Sequence, residues 1–287
     1  MFDPKTNKYP YPVDTARHYL VVKKDNGTVY DKNYPYIDDS KKFRFEYSLV
    51  RALLYAVVFP LSYIRMGLKV DGKENLKKYR ETIKNGVISC CNHVHMWDYI
   101  CIMNALKPIR TRILSWDKNI SGENGWLIRH VGGIPIPDGD IRATTAYVKA
   151  MRDYINGGGW LHIYPEASMW EYYCPIRPFK RGAAHLACRF DKPIIPMAFT
   201  FREPGSIRKK IFGQIALFTL HIGEPIRANA DLPPAEREAD LLIRCHEEIC
   251  RLAGFKPGEN IYEPVYNDSK RIDYYTDTYG VGYKGSW

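Results

Sequence analysis

From about residue 68 to 255 the chain alternates short apolar runs with amphipathic helical stretches, and this alternation leaves few folds open to it. The run 86–91 (GVISCC) reads as a buried strand entered through an Asn-Gly turn, and helical character resumes from Met96 to Leu106. Arg110 to Trp116 reads as a strand and Gly125 to Val131 as a short helix. Asp140 is placed to cap a helix through Ile155, with Tyr147, Val148, Met151, Tyr154 and Ile155 along one face and a glycine run ending it. Strands follow at Trp160–Tyr164, Ile194–Phe201 and Ile215–Ile222, with a helix near Lys180–Phe190 between the first two. Pro233 and Pro234 open a last helix, in which Leu241, Leu242, Cys245, Ile249 and Leu252 share a face, and Gly254 closes it. The expectation is an α/β domain over 68–255, a mixed sheet flanked by helices.

The flanks differ in character. Residues 1–44 are rich in Tyr, Pro, Asp and Lys without a sustained period and read as an irregular arm; 256–287 read as an aromatic tail wrapping the surface. Residues 45–67 read as a helical segment that Pro60 should kink. Its uncharged core, Ala52 to Ile64, would rise roughly 20 Å as a helix, short of a hydrocarbon layer of about 30 Å. That suits an interfacial or half-inserted, membrane-associating segment; the other reading is a core helix laid over the sheet.

Charge and cysteines narrow the setting. The 42 Lys and Arg against 32 Asp and Glu give a net charge of +10, but the cations are scattered and form no basic arm. With no zinc finger or aromatic-basic signature, nucleic acid is not the expected partner; an anionic membrane face or an acidic substrate is. Seven cysteines, odd in number and without a C-x-x-C pair, read as reduced thiols, and no apolar secretory core shows near the N-terminus. The expected place is the cytoplasmic side of a membrane, peripheral or monotopic.

Candidate chemistry begins at Asn92, His93, His95 and Asp98, which directly follow the first predicted strand of the alternation. α/β sheets place their sites at the carboxyl ends of strands. Five positions separate His93 from Asp98, so one turn of helix can return the carboxylate to the imidazole, fix its tautomer and raise its basicity. The same cluster, His93, His95 and Asp98, also admits a metal-dependent hydrolase. Tyr99, however, stands where such a motif has its next histidine.

A second landmark lies about seventy residues on, where a strand runs into Tyr164-Pro165-Glu166-Ala167-Ser168-Met169 and then Phe179-Lys180-Arg181-Gly182 opens a helix. With Asn92, His93 and Asp98, the Gly132–Asp138 block and the apolar stretch from Pro193, the chain resembles the 1-acyl-glycerol-3-phosphate (lysophospholipid) acyltransferase family over about 68–225. The resemblance implies transfer of an acyl group from a thioester, acyl-CoA or acyl carrier protein, to the hydroxyl of a lysolipid acceptor. His93 would be the general base and Asp98 its orienting partner, with no acyl-enzyme, metal or cofactor. It further implies substrate contacts from Glu166, Ser168, Lys180, Arg181 and Gly133, and oxyanion donors among the N–H groups of 92–96.

Two positions depart from the family pattern. Asp138 and Met169 stand where arginines grip the acceptor's phosphate, so Lys180, Arg181, Arg142 or Arg177 would have to supply positive charge. A catalytically inactive lipid-binding module is the remaining alternative, though a carrier has no need of a base.

Overall fold

The computed structural model describes residues 2–4 and 25–260. Met1 and residues 5–24 of the predicted N-terminal arm, and residues 261–287 of the aromatic tail, therefore lie outside the described residues. Seven strands form one sheet: β1 (Lys69–Asp71), β2 (Val87–Cys90), β3 (Thr111–Trp116), β4 (Gly133–Ile136), β5 (Trp160–Ile163), β6 (Ile194–Arg202) and β7 (Leu217–Ile222). Their order is β1-β7-β6-β2-β5-β3-β4, parallel throughout except for the antiparallel β6–β7 pair. The sheet is mixed and flanked by helices, as the alternation predicts. β1 and β4 are additional to the predicted strands, both short and both at an edge.

β2 is the hinge of the topology. The chain leaves it toward β3 and β4, returns as β5 on one side of it, then crosses to build β6 and β7 on the other. All four β2 residues are buried and alternate between the two faces: Ile88 and Cys90 enter one apolar cluster, Val87 the other. Gly86 admits the strand because its φ is +86° and a Cβ there would stand 1.9 Å from the Ile155 carbonyl oxygen.

One face of the sheet is covered by the Ile141–Asn156, Gly182–Phe190 and Pro234–Leu252 helices, which bring Tyr147, Met151, Ile155, Leu241, Cys245 and Ile249 onto it. Asp140 caps the first of these by accepting from the Arg142 N–H at 2.9 Å. The other face is covered by the Asp98–Leu106 helix and by a longer N-terminal helix.

That N-terminal helix corrects the reading of the sequence. It runs from Lys41 to Met66, 26 residues, so it starts earlier and reaches further than its 13-residue uncharged core. Its length of about 39 Å and its composition suffice to cross a bilayer. Charge does not end it, because the Arg51 guanidinium is buried 5.9 and 5.5 Å over the Tyr47 and Tyr55 rings. Pro60 is accommodated in a π turn over Leu54–Val58, where the Phe59 N–H reaches back five residues to Leu54. The wider turn makes room for a ring that has no N–H to offer. One face, including Phe43, Val50, Phe59 and Met66, packs on the domain, while Phe45, Leu49, Leu53, Leu61 and Ile64 are exposed. Asn104 of the Asp98–Leu106 helix locks the two together, donating to the Phe59 carbonyl at 3.1 Å and the Ser62 hydroxyl at 2.8 Å.

Candidate active site

β2 ends at Cys90 and β5 at Ile163, paired side by side, so the loops that follow them adjoin. Asn92 anchors the first loop to β6: its side chain donates to the Phe199 carbonyl at 3.1 Å and accepts from the Phe199 N–H at 2.8 Å. The next residue, His93, holds a ring about a quarter exposed, with Nδ1 2.7 Å from Asp98 Oδ2. Asp98 is almost fully buried at the start of its helix, where the dipole favours an anion. Its Oδ2 also accepts from the N–H groups of Val94 at 3.0 Å and His95 at 3.3 Å, and its Oδ1 from the Tyr164 hydroxyl at 2.6 Å. Burial would push its carboxyl up, but His93, the Tyr164 hydroxyl and the Val94 N–H outweigh that and hold it below the usual carboxylate range. An ionised Asp98 fixes the His93 proton on Nδ1 and leaves Nε2 as the basic nitrogen.

Tyr164 is the partner that sequence spacing does not disclose. Its ring stacks on the His93 imidazole at 3.9 Å and 7°, while burial and the adjacent Asp98 hold its phenol protonated. The same aromatic position thus supports both members of the pair.

Glu166 meets the His93 loop directly, and Ser168 is linked to it through Arg177. Glu166 is buried and accepts from the His93 N–H at 2.9 Å, the Arg177 N–H at 2.8 Å and Arg177 Nη2 at 2.6 Å. Arg177 Nη1 donates to the Ser168 hydroxyl at 2.8 Å, and the guanidinium lies 4.5 Å over the Trp170 ring. The Trp170 N–H donates to the His93 carbonyl and the Tyr172 N–H to the Val94 carbonyl, so 166–177 forms a cradle for 93–94. Arg177 is 1% exposed and spent on this cradle, which removes it from the cations that could greet an acceptor.

The other predicted contacts lie elsewhere. Lys180 joins the cradle only through its N–H to the Pro165 carbonyl at 2.7 Å. Arg181 points to the Pro234–Leu252 helix, its Nε 2.8 Å from Glu238. Gly133 sits in β4, two strands beyond β5, where a Cβ would meet the Ile128 carbonyl oxygen at 2.7 Å. Asp138 is exposed, Met169 buried. Among the 92–96 donors, the N–H groups of His93, Val94 and His95 are engaged by Glu166 and Asp98, so an oxyanion must look beyond these three.

Among the described residues His93 and His95 are not joined by further ligands into a metal site. His95 Nδ1 accepts from the Trp97 N–H at 3.0 Å and its Nε2 lies 3.2 Å from Glu171, while burial lowers it to about 4 and keeps it neutral. Among the described residues no three His, Cys, Asp or Glu side chains group as metal ligands.

Comparison with known proteins adds a family. Residues 67–200 match the Acyltransferase family. Among solved structures, the 1-acyl-sn-glycerophosphate (LPA) acyltransferase PlsC from Thermotoga maritima is similar with 14% identity and a TM-score of 0.49, over 77% of this chain and 86% of that chain. No curated protein matches the chain.

Proposed function

Residues 67–200 belong to the acyltransferase family, and from that premise we propose that the chain moves a fatty acyl group from a thioester donor, acyl-CoA or acyl carrier protein, to the hydroxyl of a lysophospholipid-like acceptor. The observation that carries the reading is the 2.7 Å contact of His93 Nδ1 with a buried, ionised Asp98. The acceptor hydroxyl gives its proton to His93 Nε2 as its oxygen attacks the thioester carbonyl. The C–S bond then breaks, and the imidazolium returns the proton to the departing thiolate, leaving an ester and a free thiol. Asp98 steadies the transient positive charge on the ring. The exposed apolar face of Lys41–Met66 is the natural contact with the bilayer that holds acceptor and product.

The test is an acyl-transfer assay over a panel of lysophospholipids, glycolipids and aminolipids, with products read by mass spectrometry. His93→Ala is expected to lower turnover by about 10²–10⁴-fold on whichever acceptor the parent uses. Parent-like turnover in that variant would remove His93 from the mechanism.

A further inference from the structure

A short helix, Ser206–Phe212, interrupts the β6–β7 connection and carries its apolar side chains outward. Ile207 and Ile211, one turn apart, are 70% and 66% exposed, and Phe212 is 56% exposed. Its charged residues, Arg208, Lys209 and Lys210, are all basic. The helix is tied to the end of the Lys41–Met66 helix: Arg208 Nη1 donates to the Ile64 carbonyl at 3.1 Å, and Gln214 Nε2 to the same oxygen at 3.0 Å. The Ile64 side chain is itself exposed, and the next residue, Arg65, lies 5.4 Å over the Trp97 ring. Met96, beside Trp97 and three residues from His93, is 61% exposed. Exposed apolar side chains therefore run from Ile211, past Ile64, to the loop that carries the base.

We propose that Ser206–Phe212 is a second foot on the membrane, set beside the Lys41–Met66 helix on an anionic lipid surface. Ile207, Ile211 and Phe212 enter the acyl boundary, while Lys209 and Lys210 meet lipid phosphates. Two contacts fix the orientation of the molecule where one helix would leave it free to roll, and they set the His93 loop against the leaflet. Charge selects lipid over a second copy of this chain. Arg65, Arg208, Lys209 and Lys210 outnumber the acids described beside them, Glu203, which pairs with Lys209, and Asp3, which lines the same hollow; a symmetric contact would bring these cations together, whereas lipid phosphates answer them. The proposal deepens the acyl-transfer reading but is tested by binding alone, so each can fail without the other.

The full chain is co-sedimented with vesicles of phosphatidylcholine alone and of phosphatidylcholine with phosphatidylglycerol. Ile207→Glu with Ile211→Glu is expected to weaken partition onto the anionic vesicles at least tenfold, with the circular dichroism melt unchanged. Ile141→Glu with Ile243→Glu, exposed on helices packed against the opposite face of the sheet, should bind as the parent does. Lys209→Ala with Lys210→Ala should lose the preference for anionic over neutral vesicles. Parent-like binding by the Ile207/Ile211 variant, or an equal loss in the Ile141/Ile243 pair, overturns the proposal. So does a parent that sediments as a dimer which the Ile207/Ile211 variant splits, because a second copy would then cover the patch.

Discussion

Tyr164 acts on the His93–Asp98 pair twice, through a ring stacked on the imidazole and a hydroxyl on the carboxylate. Tyr164→Phe keeps the first and removes the second, leaving Asp98 Oδ1 without that donor in a buried site. Urea unfolding should show a loss of about 1–3 kcal/mol. The Asp98 carboxyl should rise toward the ordinary range, because the donor favours its charged form. Because the lost hydroxyl bonds Asp98, kcat is expected to fall while KM holds; a change confined to KM would assign Tyr164 to substrate binding instead. His93 and Asp98 were legible because only five positions separate them, although a loop and a tight turn, not the expected turn of helix, close the pair, since the helix begins at Asp98 itself. Tyr164 joins Asp98 across 66 positions, and only the pairing of β2 with β5 makes them neighbours.

Between residue and fold, the segment 164–177 behaves as a cast around the His93 loop. Its centre is the buried Glu166–Arg177 pair, both side chains 1% exposed. Arg177→Met would strand Glu166 as a buried carboxylate without its cation, and a loss of about 3–5 kcal/mol is expected in denaturant unfolding. Adding Glu166→Gln should recover part of that, since the uncompensated charge goes with it. Two residues of the cast, Ala167 and Tyr172, have φ of +65° and +60°, in the left-handed region that favours glycine. Strands and helices were legible because β2, β5 and β6 are largely apolar and buried, each interrupted by only one or two polar residues. The Lys41–Met66 helix was not, because a ruler made of uncharged residues stops at an arginine that folds back under two tyrosines. Nor was the role of Arg177, since sequence gives a charge but not the depth at which it sits.

At the scale of the whole fold, three histidines among the described residues are buried in neutral form. Burial lowers His95 and His246 to about 4 and His162 to about 3, against about 6.5 in an unfolded chain. The unfolded state then binds more protons wherever pH lies between those values, so their contribution is complete above about 6.5 and is lost as pH falls toward 4. Each histidine can add a slope of about 1.4 kcal/mol per pH unit within that window. Asp98, held low when folded, steepens the decline only below the ordinary carboxylate range. Urea titrations at pH 7.5, 6 and 5 should show stability falling steadily, and His162→Phe should flatten the slope. Stability unchanged between pH 7.5 and 5 would mean the three rings are not held neutral. The contacts that set His93 come from both sides: Asn92 is fastened to Phe199 on β6, and the His93 N–H to Glu166 beyond β5. The smallest portable unit is consequently three adjacent strands with their two loops. A seven-residue graft of 92–98 into another scaffold would transplant the letters of the motif and leave its geometry behind.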